Sequence, residues 1–505
     1  MPSGCIFGDK GPAAFVDGDK PEALLALLAI TNSRIFKALV DMQMAFGSYE
    51  VGVLQRTPVP ELSVSAEAEL ALLAQRAWSL KRSLDTATEN SHAFQRPALL
   101  HTDGSNLSSQ LSAAGAQARS IEANLDSIQS EIDKHCFGLY GIGDEDRSAI
   151  TEGFGSVSFE NDVIAHGDAE EDDGQSAVDT HSLAASLVSW FVGVALGRFD
   201  IRLATLEYAM PPEPKPFDPL PVCSPGMLTG DEGLPLAEPS AEYPIRWPKD
   251  GLLVDDAGHP RDIAARVTEV LRVVRGPSAE ETERDLCPIL EVKSLREWLR
   301  KPASFFADHL ARYSKSRRQA PIYWPLSTTS GGYTIWLYVH RLTDQTLFLA
   351  VNDFVEPKLR QTAESLRHLR MKETRSRADE KQLEELHDLE TELTAFRDEL
   401  LRVAAFWKPN LNDGVQITAA PLWKLFRLPK WQKTLKDTWM ALERGDYDWS
   451  HLAYTIRPEQ VREKCKTDKS LAIAHGLEEL YVEPPPSKKG KKRATADQNQ
   501  DFDFE

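Results

Sequence analysis

The chain is poor in cysteine, and what it has is scattered. Cys5, Cys136, Cys223, Cys287 and Cys465 lie far apart and form no CxxC pair. That spacing excludes a zinc ribbon and a disulfide scaffold, and it fits a reducing, cytoplasmic setting. Long apolar runs are missing too. The longest, Leu183 to Leu196, is short for a bilayer and carries Trp190, Ser186, Ser189 and Gly193, so it reads as a buried helix. The first residues have no signal-peptide pattern. No glycine-rich loop follows a strand in the arrangement that cradles nucleotides. His340, His451 and His475 have no partner at metal or triad spacing and read as structural histidines. Cations are in deficit: the formal net charge is −19. The surface as a whole therefore repels DNA, RNA and anionic membranes, and any nucleic-acid role must sit in local basic patches.

What is present is mostly helical periodicity. The expected fold class is α+β, mainly helical. A small α/β unit would come first, then a helical spacer, then a helical domain with a β-hairpin and a long helical hairpin. Pro21 opens a helix with Leu24, Leu25, Leu27, Leu28 and Ile30 on its apolar face, running to about Met44. A loop and strand over Gly47 to Leu54 follow, closed by Pro58 and Pro60. Residues 63–151 read as the helical spacer, in which Ile121, Leu125, Ile128, Ile132 and Cys136 share one face. Residues 152–180 are acidic and glycine-rich and read as a mobile linker. Residues 181–356 form a mixed region, with helices over Ile263–Val274 and Leu295–Tyr313. A helical hairpin spans 357–406, turning near Arg375 with Leu383, Leu386, Leu389, Leu393, Phe396 and Leu400 in its seam. An aromatic-basic block fills 407–482, and 483–505 reads as a disordered tail.

Three stretches could carry function. Ser304 to Arg341 runs from Phe305 and Phe306 through Arg312, Lys315, Arg317 and Arg318 into two aromatic strands, split by Ser327 to Gly332. Cations leading into a strand pair are costly without a partner, and a polyanion backbone is the simplest one. A core hairpin after a solvated helix end is the other reading. Residues 421–439 set Lys424, Arg427, Lys430, Lys433 and Lys436 among Trp423, Phe426, Trp431 and Trp439. That block is either a phosphate-tracking surface or a core helix with solvated lysines. Asp285 with Glu291 and Lys293 has the outline of a nuclease metal site, yet the following Leu295, Trp298 and Leu299 make a helix entrance the plainer reading. No Asn or Asp precedes Pro-Pro and an aromatic residue, the pattern with which amino-methylases hold a flipped base, and no catalytic centre can be assembled.

Several stretches together resemble a known family. Residues 3–16, LLALLAITNSRIFKALV, SYEVGVLQRTPVP, WSLKRSLDTATENSHAF and IDKHCFGLYGIGDEDRSAI are similar to the latter part of large adenine-specific DNA methyltransferases, the type IIG enzymes and the PglX-type methylases of BREX and DISARM phage defence. LVSWFVGVALGRFDIR, HLARYSKSRRQAPIYWPLSTTSGGYTIWLYVHR, NDGVQITAAPLWKLF and 445–479 resemble their C-terminal region. The resemblance implies a target-recognition module beginning in residues 1–62 as a TaqI-like domain, in which Ser48, Tyr49 and Arg56 are polar candidates for DNA contact. It also implies that the chain starts after the domain that binds S-adenosylmethionine, so it would hold no cofactor and be inactive alone. The expected partners are double-stranded DNA, a catalytic methyltransferase domain or subunit, and other defence-system proteins, with no membrane. Arg312, Lys315, Arg317, Arg318, Lys424 and Lys433 would hold phosphates. A protein-interaction scaffold and a metal-dependent nuclease are the alternatives.

Overall fold

The computed structural model describes residues 13–44, 51–104, 106–152, 179–315 and 318–483. The acidic linker and the tail therefore lie almost wholly outside the described residues, as do Ser48, Tyr49 and Arg317. The α+β, mainly helical class holds. Among the described residues no single helix is long and apolar enough to cross a membrane.

The first helix is in fact two, Pro21–Thr31 and Arg34–Asp41, bent by 63°. Asn32-Ser33 breaks it because the Ser33 hydroxyl accepts from the Phe36 amide and restarts the helix as a cap. Asp133 then accepts from the Arg34 amide at 2.8 Å, so a distant helix fixes the bend. Val51–Arg56 is a helix where a strand was expected. No strand lies beside it among the described residues, and an unpaired strand would leave its backbone groups unmatched, whereas a helix satisfies them internally. The α/β character assigned to residues 1–62 is therefore corrected to helix over their described part.

Helix Leu107–Leu139 joins the molecule's two main cores. Asn106 and Ser109 form a reciprocal cap at its start. Its 33 residues span about 50 Å. Leu107, Leu111 and Ala114 are buried in the central core, while Ile128, Ile132, Cys136 and Phe137 are buried with Leu25, Ile30, Phe36 and Leu70 in an N-terminal helical core. One rigid element thus carries the apolar face expected in the spacer and roots it at both ends.

At the centre, helix Thr180–Ala195 is buried along nearly its whole length. Beside it lies an antiparallel sheet of Leu252–Val254 (β1), Tyr323–Ser327 (β4) and Thr334–Tyr338 (β5), ordered β1-β5-β4. A separate pair, Ser314–Lys315 (β2) and Arg318–Gln319 (β3), precedes it. The expected hairpin is β4–β5, buried on both faces. Pro325 is tolerated because β4 is an edge. β1 was not anticipated, since three apolar residues carry too little period to read. Asp255 and Asp262, 3% and 1% exposed, are clamped by Arg296 at 2.6 Å from Asp255, with Arg300 also on Asp255. Asp262 additionally caps helix Ile263–Arg275. The helix expected over Leu295–Tyr313 is interrupted at Pro302, where a π-helical turn Pro302–Phe306 separates Leu295–Arg300 from Ala307–Arg312.

The helical hairpin is Glu356–Arg370 and Arg377–Ala404, with its turn around Arg375 and Ser376 as cap. Leu393, Phe396 and Leu400 fill its seam. Beyond it, buried Trp407 donates to the Thr418 carbonyl at 2.9 Å, and the Asp413 carboxylate accepts from the His451 and Leu452 amides. Trp336 of the middle strand is 1% exposed and meets Phe305 edge-on at 5.5 Å. Trp336→Ala is expected to cost about 3–5 kcal/mol in chemical denaturation, and a loss below about 1 kcal/mol would contradict this packing.

Candidate nucleic-acid interface

The basic cluster after Phe306 divides into a root and a tip. At the root, Arg312 is turned inward. Its guanidinium donates to Ser186 Oγ at 2.6 Å and Asp308 Oδ2 at 2.8 Å and lies 3.9 Å from Glu89. It was expected among the phosphate contacts, but its helical position four residues after Asp308 directs it to an internal ion pair. Glu89, with 2% of its side chain exposed, also accepts from Arg198 Nη1 at 3.1 Å and from the Tyr313 hydroxyl at 2.8 Å. Asn90 donates to the Arg312 carbonyl at 3.1 Å. On the returning strand, His309 Nε2 accepts from the Ile322 and Tyr323 amides at 2.9 and 3.1 Å. Burial, reinforced by the Arg312 and Arg198 charges, holds the His309 pKa well below the ordinary 6.5, so the ring is neutral and can accept.

The tip is the opposite case. Lys315 and Arg318 are exposed and stand directly across from each other in the β2–β3 register. Neither has an ion-pair partner among the described residues. Like charges opposed on a ladder destabilise it, and an anion between them removes that penalty. Backbone and buried side chains hold the root from which the tip departs.

A second basic group lies on 423–436. Lys430, Lys433 and Lys436 follow one another at three-residue steps along helix Pro429–Arg444, whose other face buries Trp431, Leu435 and Leu442. Lys430 and Lys433 have no ion-pair partner among the described residues. Half-buried Trp423 has Lys436 Nζ at 5.2 Å and Lys424 Nζ at 6.0 Å from its ring centre. Lys424 also meets Glu399 at 3.5 Å. Arg427 is structural: it donates to the carbonyls of Thr328 and Ser327 at 2.8 and 2.7 Å.

The remaining sequence candidates fall elsewhere. Arg56 is exposed in the N-terminal helical unit, its Nε on the Gly52 carbonyl at 2.8 Å. Asp285 is helical, Glu291 sits in a turn at φ 55°, and the Lys293 amide donates to Glu297 at 2.7 Å as the next helix opens. The helix-entrance reading of that segment holds, and the strand a nuclease site would need is absent from it. Sequence reasoning missed Glu89 and His309, which position the tip. No periodicity marks either, because their partners are more than a hundred and about thirteen residues away.

No family model matches the chain. It is similar to the adenine-specific methyltransferase BrxX of Escherichia coli O9:H4 (strain HS), 24% identical over 381 residues, which covers 71% of this chain and 28% of that protein. The chain thus spans a little over a quarter of the length of the curated relative it matches.

Glu89→Gln leaves buried Arg198 without its carboxylate partner and is expected to cost about 3–5 kcal/mol in urea denaturation; a change under about 1 kcal/mol would contradict this pairing. His309 gives a pH signature. Its native value lies below its unfolded value, so its contribution is complete above the ordinary 6.5 and is lost as pH falls from there towards the depressed value. The melting temperature should drop between about pH 7 and pH 5 and drop less in His309→Gln, whereas equal drops would remove His309 from the explanation.

Proposed function

We propose that this chain is the DNA-gripping, target-recognition part of an N6-adenine-specific DNA methyltransferase of a phage-defence or restriction-modification system. Methyl transfer from S-adenosylmethionine would be carried out by a separate catalytic domain or subunit. The tip cations Lys315 and Arg318, with Arg317 between them in sequence, and the lysines at 424, 430, 433 and 436 would hold phosphates, and Ser48 and Arg56 would be further contacts. The observation that carries this reading is the β2–β3 tip, an opposed Lys315–Arg318 pair without an internal counter-charge on a root fixed by buried bonds. The similarity to an adenine-specific methyltransferase supports the reaction class.

With a net charge of −19, such binding must be local and steeply salt-dependent. The partner domain would flip one adenine out of the duplex that these contacts hold in register. Binding of labelled duplex DNA across a salt series tests the reading. Lys315→Ala/Arg318→Ala and Lys430→Ala/Lys433→Ala should each weaken binding to every sequence alike and flatten the slope of log K against log salt by about 0.9 for each phosphate no longer neutralised. Wild-type affinity and slope in both variants would overturn the assignment. A pull-down of a protein partner that survives nuclease and high salt, with no DNA shift, would favour a scaffold instead.

A further inference from the structure

The loop between β4 and β5, Thr328 to Gly332, is not an idle turn. Gly331 takes φ 78°, and the Tyr333 amide donates to the Thr328 hydroxyl at 3.2 Å, which curls the loop so that the Ser330 amide and hydroxyl point outward together. Both donate to one carboxylate, Glu392 of helix Arg377–Ala404, the amide at 3.1 Å to each oxygen and the hydroxyl at 2.7 Å. The Arg427 guanidinium, itself bonded to the Thr328 and Ser327 carbonyls, adds its charge near the same carboxylate. Burial works against ionisation there, but donation from Ser330 and the Arg427 charge outweigh it and hold the Glu392 carboxyl below its ordinary value.

A backbone N–H and a hydroxyl on a glycine-bearing turn, with a guanidinium charge nearby, form a donor set suited to an oxyanion. Here a side chain from another element fills it. Seven residues on, Glu399 pairs with Arg402 at 2.7 Å and lies 3.5 Å from Lys424. Residues seven apart share a helix face about 10 Å apart. Glu392 and Glu399 therefore lie along one edge of the buried Leu393–Phe396–Leu400 seam, over the loop and over the start of the 423–436 basic group.

We propose that the Ser330 amide and hydroxyl, beside the Arg427 charge, form an oxyanion subsite for a phosphodiester of bound DNA, and that Glu392 occupies it when DNA is absent. The acidic edge of the Arg377–Ala404 helix then competes with the DNA backbone, and binding requires Glu392 to yield. This inference rests on the DNA-binding reading above.

The test uses the full chain and a labelled duplex of mixed sequence, with binding followed across a salt series. Glu392→Gln keeps the side-chain shape and removes the charge. It should bind more tightly than wild type, with the slope of log K against log salt steeper by about 0.9, the increment of one further phosphate. Asp388→Asn, an exposed carboxylate on the same helix, should leave both quantities unchanged, and Ser330→Ala placed on Glu392→Gln should abolish the gain. Wild-type binding with no gain in Glu392→Gln overturns the subsite while leaving the DNA-binding reading intact. An equal gain in Asp388→Asn, or a gain that survives Ser330→Ala, also overturns it, because the effect is then general charge. Absence of DNA binding in wild type and Glu392→Gln alike overturns both readings. Binding by Glu392→Gln alone supports both.

Discussion

One buried carboxylate, that of Glu89, ties together three parts of the chain that sequence keeps far apart. It takes hydrogen bonds from Arg198, just past the central buried helix, and from Tyr313, at the foot of the basic tip, with Arg312 close by. A carboxylate so enclosed can remain only with its cation in place, and buried Arg198 in turn relies on it. This mutual dependence fixes the end of helix Ala307–Arg312, and with it the direction in which β2 and β3 leave the body. His309 does the same for the returning strand by accepting two backbone amides. The exposed charges of the tip are therefore held by uncharged and paired groups beneath them.

The cations of this acidic chain divide by what they face. Arg198, Arg296 and Arg312 look alike in sequence to Lys315 or Lys433, yet each is committed to a carboxylate inside the fold. Only the remainder can attract a polyanion. The acidic helix Arg377–Ala404 would belong to the same balance, with Glu392 over the β4–β5 loop and Glu399 beside Arg402 and Lys424. Internal acid would thus set a threshold for binding, which a duplex must exceed with several contacts at once.

How much of this could be read beforehand follows from range. Helices with a clear apolar period, such as Leu107–Leu139 and the hairpin seam of Leu393, Phe396 and Leu400, are visible because the period is local. The β4–β5 hairpin is visible for the same reason, its two aromatic runs flanking a Ser/Thr/Gly turn. What failed was decided by partners elsewhere. Val51 to Leu54 has strand-like composition, but burial of Val53 in a helical core gave it a helical form. Ser33 reads as an interior helix residue, yet its hydroxyl caps a new helix, and Asp133, ninety-nine positions away from Arg34, holds the bend there. Arg312 reads as a DNA contact because its neighbours Lys315 and Arg318 do, and nothing local announces Glu89.

The central claim is that the tip over residues 314–319 and the lysine face over 423–436 are where a duplex lies. Amide hydrogen exchange of the full chain with and without duplex DNA measures this directly. The account predicts slowed exchange in peptides covering both segments, reversed by raising salt, with the N-terminal core of Leu25, Ile30 and Phe36 unchanged. Protection confined to other surfaces, or none at DNA concentrations where binding is saturated, would contradict it.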